Sequence, residues 1–304
     1  MSNRKLQAVI ESVAASDGAG VKLRRSLGSR PNLRFDPFLM LDEFFSDDPD
    51  DYLAGFPSHP HRGFETVTYM LDGRMRHEDT FGHRGDLGPG DVQWMTAGSG
   101  IIHQEMPEGD PAGRMGGFQL WANLPASHKM MEPRYREVKR GEIPAVAVPG
   151  GATVRVISGE AGGVSGPVRD VVTGPAYLDV AVPAAASFTR ATPPGHTALA
   201  YVIQGRARFC RGEDPFSYEV EGENYFDIRQ DLFVSEGNLV LFGDGSEIAV
   251  TTDEEPVRFL LMSGRPLREP VAWYGPIVMN TQAELQHAFE QLDAGTFLDP
   301  QAPR

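Results

Sequence analysis

Short strand-like runs, punctuated almost everywhere by Gly, Pro and Asp, constrain this chain more than any other feature. Runs of β-branched and aromatic residues occupy 65–71 (ETVTYML), 91–95, 101–106 and 117–124. They recur at 153–157, 177–182, 198–203, 207–210, 238–242, 248–251 and 258–262. Each is bounded by turn chemistry. Asp72-Gly73 directly after the first run signals a hairpin. Pro89-Gly90-Asp91 sets a turn before the second, because Pro presets φ and Gly permits φ > 0. Gly (34) and Pro (24) make up about a fifth of the 304 residues, which suits many short strands and not a helical bundle. No run alternates with a long helix, which argues against βαβ folds, and an all-β fold is expected. One helix is predicted near the C-terminus. Thr281-Gln282-Ala283-Glu284 fits a capping box, Leu285, Ala288, Phe289 and Leu292 follow at helical spacing, and Gly295 sits where a C-cap belongs. Its simplest role is packing.

The length suits two domains. Residues 125–150 read as a linker, with one domain expected at 1–134 and another at 135–304. The endings YMLDG (69–73) and YVIQG (201–205) are weakly similar, as a duplicated barrel would be. Within the second half, 211–237 carries eight acidic residues against Arg211 and Arg229 and reads as an inserted acidic hairpin or loop.

Composition narrows the environment and the partners. A single cysteine, Cys210, rules out an intramolecular disulfide and Cys-rich zinc sites. No apolar run approaches the roughly 18 residues of a membrane-spanning helix, and no membrane association is expected. The segment MSNRKLQAVIESVAAS lacks an unbroken apolar stretch after Arg4 and Lys5, so a cytoplasmic location is expected. The formal net charge of -14 argues against direct nucleic-acid binding. The one basic cluster, Lys22, Arg24, Arg25 and Arg30, reads as a solvated surface.

Five of the eight histidines fall within 59–103. In a strand, residues i and i+2 face the same way. His59-Pro60-His61 therefore presents two imidazoles on one face, and His103-Gln104-Glu105 presents an imidazole and a carboxylate on another. Pro60 cannot donate to a ladder, so its strand belongs at an edge. Two such strands facing each other would gather three imidazoles and one carboxylate. That donor set suits divalent iron, manganese, nickel, copper or zinc, and open His/carboxylate sites are typical of non-haem iron oxygenases. His77-Glu78-Asp79 and His83 offer further pairs nearby, which read as decoys.

The residues around these pairs carry a resemblance. GFPSHPHRGFETVT (55–68) resembles the first cupin motif and PGDVQWMTAGSGIIHQEMP (89–107) the second, in the wording of the pirin family. DPFLMLDEF (36–44), GRPLREPV (264–271) and GPIVMN (275–280) are similar to segments before and after that site in the same family. The resemblance implies two cupin (jelly-roll) β-barrels in tandem with a short C-terminal helix: an N-terminal metal-binding domain and a metal-free C-terminal one. It implies one divalent metal ion, normally Fe(II), held by His59, His61, His103 and Glu105. Many cupins use the carboxylate four residues after the second His, here Glu65. Strand parity does not separate the two, since 59, 61 and 65 share a face in a regular strand. His196, in Pro194-Gly195-His196, lacks a second His two residues on and reads as a turn residue, and His128 and His287 read as structural.

The resemblance also implies activity. Some pirins are similar to quercetin 2,3-dioxygenase in activity as well as fold. The expected substrates are then a small, flat, flavonol-like aromatic and dioxygen, with ring opening and release of carbon monoxide. Glu105 is the expected base, since a metal lowers the pKa of a hydroxyl bound to it. Phe64, Met70, Met95, Met106, Phe118 and Trp121 are candidates to line an apolar pocket. The alternative is an iron-containing, redox-sensing regulatory protein of the pirin type, which needs a docking surface for a protein partner. A cupin isomerase acting on a phosphorylated sugar is a third reading; only Arg62, Arg74, Arg76 and Arg84 lie near the site in sequence.

Overall fold

The computed structural model describes residues 2–28, 32–212, 218–222 and 232–299. Among these the architecture is strands, short 3₁₀ turns and one α-helix, Gln282–Asp293. The helix begins as its sequence requires. Thr281 Oγ1 accepts from the Glu284 backbone N–H, and the Glu284 carboxylate accepts from the Thr281 N–H, closing the capping box. Among the described residues no helix is long and apolar enough to cross a membrane.

The chain forms two compact units. The unit that carries the histidine cluster comprises 14–140 and 267–304; the other comprises 1–13 and 141–266. The internal boundary lies close to the one expected at 134/135, but the two ends of the chain are exchanged relative to a division into 1–134 and 135–304. At the N-terminus, Leu6–Glu11 buries Leu6, Ala8, Val9 and Ile10, and the strand pairs antiparallel with Asn238–Phe242. At the C-terminus, residues 272–279 form a hairpin against the histidine unit, followed by the helix.

The second unit centres on a sheet in which Thr153–Ser158, Ala176–Val182, Val257–Gly264, Thr197–Ala207, Asn238–Phe242 and Leu6–Glu11 are successive neighbours. Its core includes Leu178, Val180, Phe188, Phe209, Phe242 and Phe259. Of the acidic segment expected at 211–237, Glu219–Glu221 pairs in parallel with Ala8–Ile10 and Val234–Ser235 pairs with Arg206 and Ala207. Residues 213–217 and 223–231 of that segment lie outside the described residues.

Two facing sheets build the histidine unit. A seven-stranded sheet runs Arg134–Val138, Val92–Thr96, Phe64–Asp72, Met115–Asn123, Phe38–Ser46, Val21–Leu27 and Val13–Asp17. A four-stranded sheet runs Phe56–His61, Ile101–Glu108, Arg74–Asp79 and Arg84–Leu87. Phe56–His61 is an edge strand, as Pro60 demands. Apolar residues of both sheets, among them Leu23, Phe44, Met70, Met75 and Leu87, pack between them.

The passage from one sheet to the other is a corner at Arg62-Gly63. Gly63 has φ +87°, and a Cβ there would lie 1.9 Å from the Val278 carbonyl oxygen, so only glycine fits. Arg62 is buried, and each of its three nitrogens donates a hydrogen bond. Nε donates to Ser99 O (2.6 Å), Nη1 to Gln291 Oε1 (2.6 Å) and Nη2 to Phe297 O (2.7 Å). Its guanidinium also lies 4.0 Å from the Phe297 ring centroid. Lys129 completes the corner, donating to Gly63 O (2.8 Å), Asn123 Oδ1 (2.7 Å) and Val278 O (3.0 Å). Burial pushes its pKa down to about 7, and the three oxygens match the three N–H bonds of an ammonium.

Replacing Lys129 by Met strands three buried acceptors. We expect Lys129→Met to lower unfolding stability by about 3 kcal/mol or more, read from the denaturant midpoint. A midpoint equal to wild type would mean that the clamp does not hold the corner.

Candidate metal centre

The corner at Arg62-Gly63 decides which side chains meet. It ends one strand at His61 and starts the next at Phe64 in the other sheet. The parity that would put residues 59, 61 and 65 on one face is therefore broken. Glu65 lies on the face of its strand opposite Thr68, and its Oε1 accepts from Thr96 Oγ1 (2.7 Å). Thr68, on the inner face, reaches Glu105 Oε1 (3.2 Å). Glu105, and not Glu65, is the carboxylate on the side of the histidines.

His59 and His103 are directly paired across the strands Phe56–His61 and Ile101–Glu108. The His59, His61 and His103 ring centroids are 4.3 to 4.9 Å apart. Each ring has its Nδ1 occupied. His59 Nδ1 faces Pro57 O (2.8 Å), His61 Nδ1 faces Pro276 O (3.4 Å) and His103 Nδ1 faces His77 Nδ1 (3.2 Å). A carbonyl only accepts, so His59 and His61 carry their protons on Nδ1 and expose lone pairs at Nε2. These two lone pairs face each other at 3.0 Å. His103 Nε2 is buried without any partner. Burial holds the pKa of His59 below its ordinary value, and those of His61 and His103 well below. Neutral imidazoles with converging lone pairs repel one another unless a cation lies among them. Two ligands at about 2.1 Å from one ion and at right angles are about 3.0 Å apart, so the donor set fits a divalent metal.

Glu105 belongs to an overlapping cluster. The donor atoms of His59, His61 and His103 lie within 4.8 Å of one another, as do those of His77, His103 and Glu105. His103 is common to both. Burial raises the Glu105 pKa to about 7, against hydrogen bonds from Thr68 Oγ1 and Gln93 Nε2 (3.1 Å) to Oε1.

The cluster opens into a cavity of about 700 Å³. A polar row in strict register crosses five strands, Arg25, Asp42, Gln119, Thr68 and Gln93, and its first four members form one wall of the cavity. Arg25 donates from Nε to Asp42 Oδ1 (2.7 Å) and from Nη2 to Asp42 Oδ2 (2.6 Å) and Asp17 Oδ2 (2.8 Å). Burial pushes the Asp42 carboxyl above its usual range, against the pull of Arg25. Thr68 Oγ1 also contacts the Gln119 side-chain amide (2.6 Å). The remaining wall is apolar, with Leu23, Met40, Phe44, Phe56, Trp121 and Trp273.

Of the six residues expected to line a pocket, the structure places Trp121 on the wall and none of the other five. Phe64, Met70 and Met95 share the inner face of the seven-stranded sheet but are buried in packed clusters. Met106 and Phe118 have the opposite parity to Glu105 and Trp121 in their own strands, which turns them away. Alternation in 38–44 and 21–25 carried the missed signal, since Met40, Asp42 and Phe44 share one face with Leu23 and Arg25. Arg25 is thus part of a cavity wall, and not of the solvated basic surface expected. Lys22 does pair with Asp51 at the surface, and Arg30 lies outside the described residues. His77, read as a decoy, is buried beside His103.

A jelly roll that gathers imidazoles and a buried carboxyl into an internal cavity, followed by a second strand-built unit, defines a bicupin. The chain belongs to the pirin family: the Pirin model matches residues 20–122, and the Pirin C-terminal cupin domain model matches 177–298. It is 45% identical over 298 residues to a pirin-like protein of Caulobacter vibrioides, covering 98% of this chain and 100% of that one. It is 42% identical to pirin of Homo sapiens over 290 residues, 94% of this chain and 91% of that one. A crystal structure of quercetin 2,3-dioxygenase from Acinetobacter baumannii has the same fold, with TM-score 0.82 at 30% identity over 98% of this chain and 99% of that one.

The Glu65 assignment yields a pH-dependent expectation. Burial raises the Glu65 pKa to about 7, and its Oε2 has no partner. A carboxyl whose folded pKa is raised contributes stability that is full below the unfolded value and lost as pH rises through about 7. Gln cannot ionise and keeps the acceptor for Thr96. Glu65→Gln should therefore leave bound metal unchanged while its melting temperature, relative to wild type, rises between pH 5.5 and pH 8. Loss of metal in this variant would return Glu65 to the ligand set.

Proposed function

We propose that this protein is an iron(II)-dependent dioxygenase that opens the ring of a flavonol such as quercetin with release of carbon monoxide. The observation that carries the reading is the set of three imidazoles converging beside a buried carboxyl, at the head of a cavity of about 700 Å³. His59, His61, His103 and Glu105 are the residues that would hold the ion. A divalent iron held there would supply a Lewis acid for a substrate hydroxyl and a redox-active centre between substrate and dioxygen, the substrate being the net electron donor.

The protein's own groups do the rest. Glu105, with its pKa raised to about 7, is matched to accept the hydroxyl proton near neutral pH. Thr68 and Gln93 hold its Oε1 while that proton moves to the carboxyl. Phe44, Phe56 and Trp121 offer flat apolar surface to an aromatic ring. Gln119, whose side-chain amide meets Thr68 Oγ1 at 2.6 Å, offers a polar group to an oxygen on the ligand's edge. The identity of the crystal structure at TM-score 0.82 as a quercetin 2,3-dioxygenase supports this assignment. The cytoplasm, which supplies ferrous iron, is the matching location.

The test is turnover of quercetin in air by the iron(II)-loaded protein, following flavonol loss and carbon monoxide, beside His61→Ala. Wild type should release carbon monoxide in proportion to bound iron. His61→Ala should lose stoichiometric metal and all turnover while its metal-free form melts as wild type. Stoichiometric iron with no turnover would overturn the dioxygenase and leave the redox-sensing regulatory role with a protein partner.

A further inference from the structure

Beside the proposed ligands lies a buried histidine that the metal reading does not use. In the four-stranded sheet, His103 is paired directly with Asp79 and Glu105 directly with His77, so the four side chains occupy one inward-facing square. The contacts run along a diagonal and then an edge. His103 Nδ1 meets His77 Nδ1 at 3.2 Å, and His77 Nε2 meets Asp79 Oδ2 at 3.4 Å. Asp79 is itself fixed. Its Oδ1 accepts from the backbone N–H groups of Phe81 (2.9 Å) and His83 (3.0 Å), and its Oδ2 accepts from His83 Nδ1 (2.8 Å). The plane of His77 is fixed as well, by the Tyr135 ring stacked on it at 4.8 Å and 24°. Tyr135 stacks on His83 too, at 5.2 Å and 13°. The chain leaves room for that ring at Gly85, where a Cβ would lie 2.0 Å from Tyr135 Oη.

We infer that His77 and Asp79 set the tautomer and orientation of His103, so that its Nε2 is presented unprotonated to the ion. The polarity of the chain leaves one consistent arrangement. A carboxylate only accepts, so His77 carries its proton on Nε2 and its Nδ1 is a lone pair. His103 must then donate from Nδ1, which leaves Nε2 bare, and Nε2 is the buried atom without a partner. Partners of this kind behind metal-ligating histidines fix the tautomer and raise ligand basicity, and their loss typically lowers metal affinity about 10–100-fold. His77 and Asp79 are positioning residues. In this arrangement His77 is not a ligand, because its Nε2 proton goes to Asp79 and its Nδ1 lone pair to His103. The inference rests on the metal reading above, and its test separates the two.

Asp79→Asn is the decisive variant. The amide keeps the acceptor for the two backbone N–H groups but replaces the other oxygen by a donor. His77 Nε2 then accepts, His77 carries its proton on Nδ1, and His103 is driven to the Nε2–H form. Ring-nitrogen NMR on the metal-free protein should show His103 as Nδ1–H in wild type and Nε2–H in Asp79→Asn. Cobalt(II) affinity should fall about 10–100-fold in Asp79→Asn and in His77→Phe, which keeps the stack on Tyr135. His77→Gln, which restores an acceptor, should recover part of that loss. At cobalt saturation the visible spectrum should stay that of wild type in both Asp79→Asn and His77→Phe.

An Nε2–H tautomer in metal-free wild type, or undiminished cobalt affinity in Asp79→Asn, would overturn the inference. So would a new cobalt spectrum in His77→Phe alone, since that would make His77 a ligand. Failure of the metal reading looks different: wild type would bind no stoichiometric cobalt, or His61→Ala would bind it as wild type does. The tautomer in the metal-free protein still decides the role of His77 and Asp79 in that case.

Discussion

The corner at Arg62-Gly63 is where the chain leaves one sheet for the other, and the site depends on it. Gly63 adopts a positive φ against the Val278 carbonyl, where no side chain fits. Arg62 ties the corner to Ser99, to Gln291 on the C-terminal helix and to the Phe297 carbonyl beyond it. Lys129 ties it to the 272–279 hairpin through Val278. Two buried cations, six hydrogen bonds between them, thus hold the two residues that follow His61. A buried cation held by several matched hydrogen bonds is costly to disturb, which fixes the chain directly after His61. The C-terminal segment, which reads in the sequence as simple packing, is the outer half of this brace.

Around that corner the electrostatics are arranged for a cation. Three rings have their Nδ1 atoms occupied and their Nε2 atoms converging, and burial keeps them neutral. Neutral imidazole is the form that binds metal, and the usual competition with protons is weakened by the same burial. The facing carboxyl, Glu105, is held near neutrality by burial on one side and two hydrogen bonds on the other. A group poised in this way is ionised by a nearby cation and can still take up a proton when chemistry supplies one.

The cavity adds direction. Its polar groups sit along a single row, because five strands in register repeat the same inward face at the same height. A sheet in register converts alternation along each strand into a stripe across the sheet. One wall therefore offers hydrogen bonds at one level, from Thr68 beside Glu105 through Gln119 to Asp42 and Arg25, and the opposite side is largely aromatic and aliphatic. A flat ligand with oxygens along one edge is the shape that such a wall selects.

Turn residues and alternation were enough to read an all-β chain, the edge position of Pro60, the capping box at Thr281 and the two His-bearing strands from sequence. These are local properties: two-residue periodicity and the conformational limits of Gly and Pro act over a few residues. The pairing of His59 with His103, the exclusion of Glu65 and the exchange of the chain ends between units were settled only by tertiary structure. Glu65 shares parity with His61 on paper, and a single corner between them reverses it. Phe118 and Trp121 both look like pocket residues, and only the placement of the sheet shows which face is inward. His77 looked like a chance neighbour in sequence because its partner His103 lies 26 residues away, brought alongside by the register of two strands. Periodicity assigns residues to faces within an element, but which faces meet depends on long-range pairing that no local pattern encodes.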